Sequence, residues 1–116
     1  MSEVKNDNLT ITMSGRRPVK IKKSEWKIVV EQRDWEGQYE SQSFRKWYIK
    51  IRQKGDKYIV YGGHDTAWQG EEDLRAGYLI EDSDKLESYI EEVGGEIKAR
   101  ERLINGCIAD LPAEEI

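Results

Sequence analysis

Along SFRKWYIKIRQ (43–53) the side chains alternate: Trp47, Ile49 and Ile51 fall to one side, and Lys46, Tyr48, Lys50 and Arg52 to the other. Period-two alternation is the mark of a half-buried strand. A connection built on Gly55-Asp56 then leads into Tyr58, Ile59, Val60 and Tyr61. The pattern predicts a hairpin of strands 43–53 and 57–63 with one apolar and one cationic-aromatic face. LRAGYLI (74–80) and LTITM (9–13) alternate in the same way. The turn residues of SGRRP (14–18) predict a short return strand at 19–22, and so an N-terminal hairpin. SEWKIVVEQRDW fits either period, with Trp26, Val29, Val30 and Arg33 on a helical face or Trp26, Ile28 and Val30 on a strand. Ser24 as N-cap and Glu25 in a first turn favour a short helix over 24–33.

The last third of the chain reads as helical. Asp84 and Glu87 have capping-box spacing, and apolar residues recur at 86, 90, 93, 97, 104, 107 and 111, with Arg100 the one member out of character. Steps of four and three resemble a coiled-coil seam, but the run is short and Gly94-Gly95 interrupts it. Those glycines are expected to break or kink the helix, which leaves one kinked helix or two over 84–109. The expected fold class is α+β: an antiparallel sheet packed on a C-terminal amphipathic helical segment plus one short N-terminal helix. Residues 1–8 read as a disordered tail and 9–116 as a single domain.

Composition narrows the chemistry. The chain has one Cys and one His, so a structural zinc site, which needs about four such ligands, is excluded. EDSD (81–84) lacks the glycine and distal Glu of a calcium loop, and no glycine-rich phosphate motif is present. Cys107 and His64, with Asp65, form the one conceivable nucleophilic set, yet Cys107 falls on the core stripe, where a thiol is inert. No enzymatic activity and no cofactor are expected. A lone Cys, no apolar membrane span and a start, MSEVKNDN, without signal-peptide character point to the cytoplasm and to no membrane partner.

Charge is divided along the chain. Residues 1–70 hold 14 Lys/Arg against 9 Asp/Glu, whereas 71–116 hold 5 against 14, giving +5 and −9 within a net −4. The basic half offers a nucleic-acid surface: Arg16, Arg17, Lys20 and Lys22 in the first hairpin, and Lys46, Tyr48, Lys50 and Arg52 on the outward sheet face. No established nucleic-acid motif accompanies them. YGGHDTAWQG (61–70) offers a protein surface instead. Gly62 and Gly63 are expected to end a strand, His64-Asp65-Thr66 to turn, and Trp68 to fold back onto the core rim. His64, Asp65, Trp68, Tyr61 and Trp35 are the candidate protein-binding residues, of types that dominate interface energetics. A homodimer is left open.

The series GRRPVKI, Trp26, RKWYIKIRQ and IVYGG…AWQGEEDLRAGYLI resembles a group of small uncharacterised proteins encoded on bacterial prophages and integrative mobile elements, over residues 11–95. The resemblance implies no activity and assigns no residue a role. It implies an accessory protein that engages a host factor, for example as an inhibitor of a defence or regulatory complex. The expected function is therefore non-enzymatic binding of a protein partner, with nucleic-acid binding as the alternative.

Overall fold

The computed structural model describes residues 6–112, so residues 1–5 of the tail expected at 1–8 lie outside the described residues, while Asn8 of that tail belongs to a strand. The centre of the molecule is an antiparallel meander of β3 (Lys27–Trp35), β4 (Arg45–Lys54), β5 (Lys57–Thr66) and β6 (Leu74–Ile80), each strand paired with its neighbours in sequence. The β4–β5 turn is two residues long, with Lys54 opposite Lys57 and φ +59 at Gly55. A tight hairpin turn needs a residue that tolerates positive φ there, and glycine does so without steric cost.

Alternation holds through β4 and β5. Trp47, Ile49 and Ile51 lie opposite His64, Gly62 and Val60, so all six share one face. That face is covered by α1 (Leu86–Glu96) and α2 (Glu101–Ala109), whose Leu86, Ile90, Val93, Leu103 and Cys107 join it, with Ile97 between the helices, in the main core. Gly94-Gly95 does not break α1, which ends just beyond at Glu96. Lys98, in the left-handed region at φ 57, then turns the chain into α2. The helical segment is thus two helices. Asp82 caps the 3-10 turn Ser83–Lys85 that precedes α1, its carboxylate accepting from the Asp84 amide at 2.9 Å. That role replaces the Asp84/Glu87 box.

The expected helix at 24–33 is absent, and β3 occupies that stretch. Its register slips between Ile28 and Val30, with Ile28 opposite Arg52 and Val30 opposite Ile51. This β-bulge leaves Val29 unpaired, turns Ile28 outward and buries Val30. The extra residue destroys the period of two, and what remains mimics a helical pattern.

The N-terminal strands form a sheet of their own, β1 (Asn8–Ile11) with β2 (Val19–Lys22). This hairpin lies on the meander's outer face, where Ile11, Met13 and Ile21 pack with Ile59 and Tyr61. Ser14 fastens it to the edge strand: its amide donates to the Gly77 carbonyl at 2.8 Å, and its Oγ accepts from the Gly77 amide at 3.2 Å. The molecule is layered as hairpin, sheet and helices. Gly62 and Gly63 therefore sit mid-strand and do not end it. A Cβ on Gly62 would lie 3.1 Å from Val93 and Ile97, and one on Gly63 would lie 2.7 Å from the Arg75 guanidinium. Among the described residues no helix is long and apolar enough to cross a membrane.

Candidate functional site

One end of the meander gathers the chain's exposed aromatics. The β3–β4 connection carries Tyr39 and Phe44, and the β5–β6 connection carries Trp68. Phe44 and Trp68 are 55% and 47% exposed, with ring centroids 5.0 Å apart. Trp68 does not plug the core rim. It stands out in a loop held by side-chain bonds: the Thr66 amide donates to Asp73 Oδ1 at 2.9 Å, and Thr66 Oγ1 donates to Glu71 Oε1 at 2.8 Å. His64, Asp65 and Thr66 belong to β5 and not to a turn, so the true connection is 67–73.

Arg45 ties the two connections together. Its guanidinium lies 5.4 Å from the Trp68 ring centroid and bonds Glu36 at 3.0 Å and Glu71 at 3.0 Å. The Arg45 hydrogen bonds hold the Glu71 carboxyl down at about 2. Trp68 thus lies against a cation that bonds one acidic side chain from each connection. An apolar centre with a polar rim and an anchoring arginine is the anatomy of a binding hot spot.

Beside this knuckle, on the helix side of the sheet, an open hollow of about 750 Å³ is lined by Trp47, His64, Leu74, Glu71, Lys98 and Arg100, among others. His64 stacks on Trp47 at 4.6 Å and 22°. It is 7% exposed, and neither Nδ1 nor Nε2 has a hydrogen-bond partner among the described residues. Burial pushes its pKa below the ordinary histidine value, so the neutral ring holds one unused donor and one unused acceptor at pH 7. Orphaned buried groups cost roughly 1–3 kcal/mol and are rare in native structures.

The wall of the hollow is fixed by Asp34, 4% exposed on β3. Its carboxylate accepts from Arg100 Nε and Nη2 at 2.9 Å, Arg102 Nε at 2.8 Å and the Trp35 amide at 2.9 Å. These bonds depress its pKa although burial works against them. Arg100, which breaks the apolar stripe, thus clamps the start of α2 to β3 while lying 5.3 Å from the Trp47 ring centroid.

The anticipated protein-binding residues do not form one patch. His64 faces the helices, whereas Tyr61 and Asp65 point to the outer face. Tyr61 is buried under the N-terminal hairpin, and Asp65 pairs with Arg75. Trp35 is half-buried, and its carbonyl accepts from Arg102 Nη2 at 3.2 Å. Phe44, Arg45, Glu36 and Glu71 escaped sequence reasoning, because only the pairing of β4 with β5 brings 44–45 beside 66–71. The basic set divides as well. Arg16, Arg17, Lys20 and Lys22 are exposed on the hairpin. Lys46 is half-buried, Lys50 pairs with Glu31 at 3.2 Å, Tyr48 is half-buried, and Arg52 is buried. The expected open cationic-aromatic face is therefore mostly roofed.

Cys107 is fully buried, and desolvation pushes its thiol up to about 12. No thiolate is present at neutral pH, and His64 does not bond to it. Among the described residues no cluster of three or more His, Cys, Asp or Glu is placed to hold a metal. Comparison with protein-family models, with curated proteins and with solved structures finds no match to this chain.

Proposed function

We propose that the chain is a small binding protein that engages a protein partner through the aromatic end of its sheet. The observation that carries this reading is the Phe44–Trp68 pair, half exposed and in contact, with Trp68 against the Arg45 guanidinium that bonds Glu36 and Glu71. Pre-ordered aromatics lose little entropy on association, which is why Trp and Arg concentrate binding energy. The neighbouring hollow, lined by Trp47, Leu74, Glu71, Lys98 and Arg100, offers a complementary seat for a partner's side chain. The resemblance to mobile-element proteins makes a bacterial host factor the partner class to seek, with no catalysis required of this chain.

The test is capture from bacterial lysate after nuclease treatment, using the full chain and its Phe44→Ala/Trp68→Ala variant. A protein retained by the first and lost from the second is expected, with the fold of the variant intact. Equal retention by both would remove the aromatic knuckle from consideration.

A second reading, nucleic-acid binding, rests on the hairpin alone. Lys20 and Lys22 point outward from β2, and with Arg16 and Arg17 they form no ion pair among the described residues. Salt-dependent oligonucleotide binding that vanishes in Lys20→Glu/Lys22→Glu would favour it.

A further inference from the structure

The hairpin does not lie flush on the sheet. Between the segment 9–12, which spans the end of β1, and the outer face remains a cleft of about 240 Å³, whose polar lining residues are Thr10, Thr12, Lys23, Tyr48, Lys50, Arg52, Tyr61 and Arg75. Four of these residues are cations, and no Asp or Glu among the described residues lines the cleft.

Arg52 is the informative member. It is 7% exposed, and its bonds go only to neutral groups: Nε donates to Tyr61 Oη and Nη1 to the Trp26 carbonyl, both at 2.9 Å. No carboxylate pairs with it, and its Nη2 has no hydrogen-bond partner among the described residues. Buried charges are normally paired, and the Arg52 Nη2 is not among the atoms closed off from solvent. The other cations differ. Lys50 leans on Glu31 and Arg75 on Asp65, whereas Lys23 has no ion pair among the described residues. Arg52 and Lys23 thus border one small space, Arg52 buried without a counter-charge and Lys23 exposed near Asp7.

We propose that this cleft is an anion site for a small phosphomonoester. Its dianionic head would be held by Arg52 and Lys23, with Lys50 and Arg75 at the margin. Guanidinium and ammonium groups together suit the several acceptor oxygens of a phosphoryl group. The volume lies below the roughly 300–1,000 Å³ of ordinary ligand pockets, so a phosphoryl head with a compact organic remainder fits and a polymer segment does not. The site is separate from the aromatic end of the sheet, and either can fail without the other.

The experiment is an amide-resolved NMR titration of the full chain with inorganic phosphate, ribose 5-phosphate and a thymidine octanucleotide lacking a terminal phosphate, at constant ionic strength set with chloride. Saturable shifts confined to residues 9–12, 23, 50–52 and 75–76 are expected with the first two ligands over the millimolar range. Lys23→Gln, an exposed substitution that leaves the fold in place, should weaken both by about threefold. Arg52→Gln should weaken them by tenfold or more, as loss of a charged hydrogen bond does. Failure of the wild-type amides to shift, or affinity unchanged in Lys23→Gln, refutes the site. Tighter binding of the octanucleotide at the same amides overturns the small-ligand assignment in favour of a nucleic-acid backbone.

Discussion

Two adjacent glycines of α1 should respond to the same substitution with opposite sign. A Cβ on Gly94 would lie 2.5 Å from Cγ1 and Cδ1 of Ile104 on α2, whereas a Cβ on Gly95 meets nothing within 4 Å. Neither residue has positive φ. Gly→Ala in a helix stabilises by up to about 1 kcal/mol through propensity alone, and at Gly95 that term stands unopposed, trimmed by the nearness of the helix end. Gly95→Ala should therefore gain about 0.5–1 kcal/mol. At Gly94 carbon contacts of roughly 3.5–4.0 Å must be restored, so Ile104 or the whole of α2 has to retreat by more than 1 Å. Overpacking of this kind costs about 1–3 kcal/mol. Ile104 is only partly buried and can give way in part, so the net loss for Gly94→Ala is about 1 kcal/mol. The two variants should then differ by about 2 kcal/mol, or about 8 °C in Tm for a chain of this size. Urea unfolding with a shared m-value measures the difference directly. Ile104→Ala removes both opposing atoms, so the double variant Gly94→Ala/Ile104→Ala should be more stable than the sum of the single losses predicts. Equal effects at Gly94 and Gly95, or strict additivity with Ile104→Ala, would falsify the close approach of the two helices.

Asp34→Asn should cost about 2 kcal/mol in urea unfolding. It weakens several charged hydrogen bonds, but the Arg100 and Arg102 side chains are 42% and 64% exposed and return readily to water. Because the folded Asp34 pKa is depressed, its contribution is present above the unfolded value near 4 and is lost as pH falls through the lower folded value. The Asn variant should accordingly show a shallower acid limb below about pH 4. His64 governs a different window. Its folded pKa is lowered, so the unfolded chain binds the proton first, and stability should fall as pH drops from about 7 towards 5. His64 is the sole histidine, and a His64→Gln variant that keeps the full slope in that window would rule out its neutral burial.

The strands with unbroken alternation, β4 and β6, were legible from residue spacing, as was the apolar stripe that buries Leu86, Ile90, Val93, Ile97 and Cys107. β3 was not, because one bulged residue at Val29 shifts Ile28 and Val30 onto opposite faces and leaves a spacing that a helix also satisfies. Alternation further says that two faces differ, without saying what covers the second. The continuous run Tyr58–Tyr61 carried the missing information, since a strand apolar on both sides is buried on both sides. Read so, it would have placed a layer over Tyr61 and moved Tyr48 and Arg52 out of a flat open surface. The aromatic knuckle was half visible through Trp68, but Phe44 joins it only through strand pairing, which spacing along one chain does not reveal.

The layering also orders the molecule's assembly in time. Each strand of the meander closes on the strand just before it, so the sheet can grow by short loops, whereas the N-terminal hairpin needs Ile59, Tyr61 and Gly77 as its seat. On the ribosome the hairpin leaves before the meander and can dock only after β6. Until β6 has emerged, Ile11, Met13 and Ile21 have no place to go. Lys20, Lys22, Arg16 and Arg17, on the side that never becomes buried, keep the waiting hairpin charged, as gatekeeping residues do beside an exposed apolar strand.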